Sequence, residues 1–112
     1  MQQNKAMSYL GLAARARHVE SGEFCTERAV KRGNAKLVLV ASDASENTKK
    51  AVRDMCTYYH TEWLVFGEKE SLGHAIGKSA RACLALMDQG LADAVKEQLI
   101  DRNQDGGSEH GK

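Results

Sequence analysis

The chain has 112 residues, 42% of them hydrophobic and 28% charged, and its formal net charge is only +1. That length supports one core and not two, and the near-neutral total excludes a whole-molecule field that would draw in nucleic acid unaided. No apolar run approaches the roughly 20 residues needed to span a bilayer, so no membrane partner is expected.

The elements follow in chain order. From Asn4 to Arg17, apolar residues at Met7, Leu10, Leu12 and Ala13–Ala14 predict a helix burying one face. "RHVESG" (17–22) predicts a short strand ending at a glycine. "SGEFCTERAVKRG" predicts a helix with Ser21–Gly22 at its start, Glu23 near its positive end and Gly33–Asn34 closing it. "KLVLVA" (36–41) is a continuous aliphatic run, the pattern of a strand covered on both faces. Ser45, Glu46 and Asn47 open the next helix, which carries Val52, Met55, Cys56 and Tyr59 on one side. "TEWLVF" (61–66) predicts a strand, Gly67 a turn, "KESLGHAIG" a short helix ending at Gly77, "RACLALM" (81–87) a last strand and "GLADAVKEQLIDR" a last helix. One domain is expected over residues 1–101, followed by a disordered polar tail over 102–112. The alternation of helices and strands predicts an α/β fold whose sheet has "KLVLV" at its centre, and the loop beyond that strand lies on a rim where such sheets bind ligands.

Cys25, Cys56 and Cys83 are odd in number, widely spaced and form no CxxC pair, which argues against a disulfide framework and for a reducing cytoplasm. Enzyme signatures are absent: there is no GxGxxG, GxxxxGK[ST], GxSxG or HExxH. Cys56 and His60 stand four apart, but two ligands do not make a metal site, and a core cysteine beside a helix-end histidine is expected. His74 has no visible partner and is assigned to packing or capping. Asp43, just past the central strand, stands where catalytic carboxylates occur; the expectation favours a cap on the helix that follows. No cofactor, no metal and no enzymatic activity are expected.

Charge is distributed unevenly. Residues 1–36 hold seven basic side chains against three acidic ones, and residues 86–112 hold three against six. Arg28, Lys31 and Arg32 are spaced to share one face of a helix, with Arg15 and Arg17 upstream and Ala29 and Val30 turned to the sheet. Such a stripe suits phosphates, through charge neutralisation and bidentate arginine contacts. Phe24 is the one aromatic near it, either stacking on a base or tucked under the helix start.

"GEFCTERAVKRGNAKLVLVASDAS" followed by "EKESLGHAIG" resembles the superfamily of archaeal and eukaryotic ribosomal proteins that bind kink-turn RNA, over about residues 5–100. "LGLAARAR", "SGE" and "ASDASENTKK" are similar to its bacterial YlxQ-like branch. The resemblance implies a three-layer α/β/α sandwich with a four-stranded mixed sheet that grips structured RNA from two sides. One grip is the start of the second helix, at positions matching Gly22, Phe24, Cys25 and Arg28; the other is the loop at Lys78, Ser79, Ala80 and Arg81, with Lys69 at a basic position ahead of the short helix. Phe24 and Cys25 stand where kink-turn binders carry Asn and Glu, and neither can hydrogen-bond guanine edges as those do. The expectation is therefore a backbone grip through Arg28, Lys31, Arg32, Lys69, Lys78 and Arg81 on structured, ribosomal RNA, without the guanine-edge contacts. The protein is expected to be a monomer with no affinity for DNA. The alternative is an adaptor of the translation machinery that kept the fold, lost kink-turn binding and uses Phe24 and Cys25 against a protein.

Overall fold

The computed structural model describes the backbone from residue 2 to residue 107 and the side chains from residue 5 to residue 99. Five helices alternate with four strands: α1 (Gln2–Arg15), β1 (Val19–Ser21), α2 (Glu23–Lys31), β2 (Leu37–Val40), α3 (Glu46–Tyr59), β3 (Trp63–Val65), α4 (Lys69–Ala75), β4 (Cys83–Leu86) and α5 (Gln89–Gly107). The expected fold class is the observed one. α5 reaches Gly107, within the stretch 102–112 expected as a tail; residues 108–112 lie outside the described residues.

The sheet order is β1-β4-β2-β3. β4 runs antiparallel to both neighbours, pairing Val19 with Leu86 and Val40 with Cys83, whereas β2 and β3 are parallel, with Val38 opposite Trp63. Every residue of β2 and β4 is buried, while β1 and β3 are half-buried or open. This is the pattern of two inner strands covered on both faces. α2 and α3 pack together in one layer; α1 packs against α4 and α5 in the other. The core gathers Leu10, Val30, Leu37, Leu39, Leu72, Leu84, Leu86 and Val95.

Local signals set the helix ends. Ser45 Oγ accepts from Thr48 N at 3.0 Å and caps α3. Thr48 Oγ1 in turn donates to Glu23 Oε2 at 3.0 Å, tying the start of α3 to the start of α2. Asp43 does not cap α3. Its Oδ1 accepts from Lys69 N at 2.8 Å and serves α4, across the sheet rim. Ser42 joins this clasp, since its backbone N–H and its Oγ each donate to Gly67 O at 2.8 Å. The small polar residues after β2 are thus the fasteners of the neighbouring β3–α4 turn. Cys56 is buried, and His60 is the left-handed C-cap of α3, as expected.

Gly73 of "LGHAIG" lets the loop after α4 lie directly on the helix. A Cβ there would sit 1.9 Å from Ser79 O. Gly73→Ala is therefore expected to destabilise the fold by about 3 kcal/mol or more, read as a lower denaturant midpoint in chemical unfolding. Burial pushes the Cys56 thiol up to about 11, from an ordinary 9.0. Between those values the unfolded chain releases a proton that the folded one keeps, so stability falls as pH rises from about 9 to 11, by at most about 1.4 kcal/mol per unit of pKa difference. Unfolding titrations of the parent and Cys56→Ala at several alkaline pH values should show the variant losing less.

Candidate functional site

Gly22 precedes α2 with φ 90° and ψ 163°, and a Cβ there would meet nothing within 4 Å. Glycine is required by the backbone angle and not by crowding. The Gly22 N–H donates to Cys83 O at 2.9 Å, which joins the entry of α2 to the first residue of β4. One turn of helix presents the next residues. Phe24 projects into solvent at 72% exposure, and so is not tucked under the helix start. The Arg28 guanidinium lies 5.5 Å from the Phe24 ring centroid, 3.5 Å from Glu20 Oε1, and 3.9 Å from Cys25 Sγ, to which it donates. An exposed ion pair of this kind adds little stability. Its effect is to orient Arg28 over the aromatic ring and beside β1.

The loop before β4 meets this helix start. Arg81 Nε donates to Ser21 Oγ at 3.1 Å, and its Nη1 donates to Ser79 Oγ at 2.9 Å, Ser79 O at 3.2 Å and Ala80 O at 3.1 Å. All these acceptors are neutral, so the arginine is held in place with its charge intact. The Arg81 backbone N–H donates to Lys69 O at 2.9 Å, and that of Lys78 to Gly73 O at 2.8 Å. Lys78 borders a hollow of about 380 Å³ together with Arg17, Glu20 and Ser21. Arg17 holds a left-handed φ of 66° there, a conformation seldom adopted outside glycine.

The structure therefore brings together Gly22, Phe24, Cys25, Arg28, Lys69, Lys78, Ser79 and Arg81 at one end of the β1–β4 pair. Among the described residues, Lys69, Lys78 and Arg81 have no ion-pair partner. Lys31 and Arg32 fit less well with the single stripe expected for α2. Positions 31 and 32 are the two ends of a helical arc of about 100°, wide enough to meet different neighbours. Lys31 pairs with Glu27 at 2.8 Å and lines the groove between α2 and α3 that also holds Tyr59. The hydrogen bond from that ammonium to Glu27 holds it above the ordinary lysine range. Arg32 is the exposed C-cap of α2, at the far end of the helix from Gly22.

Glu20 and Ser21 are members of this site that the sequence does not announce, whereas Arg17 belongs to the basic stretch upstream of α2. Arg17 carried a signal, a basic residue at a predicted helix end. Glu20 and Ser21 carried none, since their partners arrive from other elements. His74 is exposed, and no group of three or more candidate metal ligands occurs among the described residues.

Residues 4–96 match the model of the ribosomal protein L7Ae/L30e/S12e/Gadd45 family. The RNA-binding protein YlxQ of Bacillus subtilis (strain 168) is 46% identical over 86 residues, which are 77% of this chain and 86% of that protein. The YlxQ of Enterococcus faecium is 39% identical over 85% of this chain and 91% of its own. The large ribosomal subunit protein eL8 of Cenarchaeum symbiosum (strain A) is 26% identical over 87% of this chain and 78% of its own. Among solved structures, a protein of unknown function from Bacillus halodurans C superposes with a TM-score of 0.82 at 38% identity, covering 86% of this chain and 97% of that one. The Giardia lamblia 15.5kD RNA binding protein shares the fold at a TM-score of 0.74 and 20% identity, covering 90% of this chain and 88% of its own. On sequence and fold together, the chain belongs to the ribosomal protein L7Ae/L30e/S12e/Gadd45 family, in its bacterial YlxQ branch.

Proposed function

We propose that this protein is a non-enzymatic RNA-binding protein that grips structured, ribosomal RNA through the start of α2 and the loop at residues 78–81. The observation that carries this reading is the junction between the two segments. The Arg81–Ser21 and Gly22–Cys83 hydrogen bonds hold both segments on one rim. Phosphates would meet Arg28, Lys69, Lys78 and Arg81 there, and the backbone at Gly22 allows close approach. Phe24 offers a solvent-facing ring on which an unpaired base can stack. Cys25 offers no strong donor or acceptor, so the grip reads shape and phosphate position more than guanine edges. The family membership and the RNA-binding relatives support the same choice over the adaptor reading.

Fluorescence anisotropy with labelled ribosomal RNA fragments tests it. Arg28→Ala and Arg81→Ala should each weaken binding and lower the log–log salt slope by roughly 0.7–0.9, while Lys31→Ala, turned towards α3, should change both by less. Unchanged affinity in both arginine variants would remove this rim from the site. Glu20→Gln releases Arg28 from its carboxylate and should raise affinity by up to about fivefold, measured in the same titration.

A further inference from the structure

The edge of the sheet away from β1 carries a second cationic surface. In the order β1-β4-β2-β3, β3 is the opposite edge strand. Trp63 and Val65 alternate onto one face of it. Glu46, Lys49, Lys50 and Arg53 form a stripe on α3, at helical spacings of three, four and seven. The two rows, with Asn47, line one groove of about 400 Å³. Its walls bring three cations and one carboxylate to an indole.

Each carboxylate nearby is accounted for. Glu46 lies 3.7 Å from Lys49 Nζ; Asp54 accepts from Lys50 Nζ at 2.9 Å and from Arg53 Nε at 3.3 Å. Glu62, next to Trp63, is turned away and accepts from Lys96 Nζ at 2.5 Å. The Lys50–Asp54 and Arg53–Asp54 pairs are exposed and so exchange readily for a stronger anion, while the Lys49 side chain is half-buried. Trp63 is half-buried against the core, and among the described residues its indole N–H has no hydrogen-bond partner. Val65 is 50% exposed and adds an apolar floor beside it.

We propose that this groove is a second RNA contact, taking single-stranded RNA by stacking a base on Trp63 while Lys49, Lys50 and Arg53 neutralise the adjoining phosphates. This rests on the RNA-binding reading above and extends it to the opposite edge of the sheet, so that an unpaired strand leaving the structured element would be held as well. A cationic edge beside an aromatic platform suits a polyanion carrying flat bases. An acidic peptide added as a further strand is the poorer fit, since β3 offers only three residues to pair with.

Trp63 is the sole tryptophan, so its fluorescence reports this groove alone. Titration of the full chain with an unlabelled oligouridylate of about ten nucleotides should quench it saturably. The Lys50→Ala/Arg53→Ala double variant should bind that probe about tenfold more weakly and with a salt slope lower by about 1.4, while Arg28→Ala/Arg81→Ala should leave the quenching curve unchanged. Quenching that the α3 variant leaves intact overturns the proposal, as does tighter quenching by oligoglutamate, which would assign the groove to an acidic protein. Binding of the structured ribosomal fragment by anisotropy, with Trp63 silent to both RNAs, also overturns it and leaves the α2 rim standing. If neither RNA binds, both readings fall together.

Discussion

The short run Arg81–Ala82–Cys83 is the point on which the rim depends. Its three residues hold two distant parts of the chain: Ser21 and Gly22, through the Arg81 side chain and the Cys83 carbonyl, and Ala41, through the Ala82 carbonyl. The entry of α2, the end of β2 and the loop after α4 therefore cannot move independently. Preorganisation of this kind lowers the ordering entropy that a ligand must overcome, which matters for a surface whose individual contacts are exposed and weak.

Burial and charge divide the molecule in a simple way. The inner strands β2 and β4 are wholly apolar and buried, so they contribute rigidity and no recognition. The exposed charged and aromatic side chains lie around them, on the two half-covered edge strands and the helices that flank them. Each edge pairs an aromatic residue with arginine and lysine, Phe24 with Arg28 at one side and Trp63 with Arg53 at the other. A total charge of +1 conceals this, because the compensating acidic residues are spent within the same surfaces as local partners.

What could be read in advance follows the range of the interactions. "KLVLV" declared a doubly covered strand because four apolar residues in succession admit no exposed face. Ser45 declared a helix start because its bond spans only three residues. Asp43 suggests a cap on that same helix for the same local reason, yet its partner is Lys69, 26 positions on, and nothing near Asp43 indicates it. Helical spacing puts Arg28 and Lys31 on α2 and Arg32 at its C-cap, but it does not say that Glu20 draws one cation towards β1 while Glu27 holds another beside α3. Phe24 and Cys25 are the local departures in this stretch. Phe24 contributes an exposed ring and Cys25 a sulfur within reach of Arg28, features a substitution pattern alone leaves undecided between contact and burial.

The pairing of Val19 with Leu86 has a consequence for how the surface comes into being. β1 is synthesised early, but its only strand neighbour is encoded more than sixty residues later. While the chain is still emerging during translation, α2 can form and the β2–β3 pair can assemble, yet the strand that pairs with β1 and the carbonyl that accepts from Gly22 are still missing. Any premature stop before β4 yields a product with the basic helix but no rim to present it. The rim is thus complete only once β4 has been made.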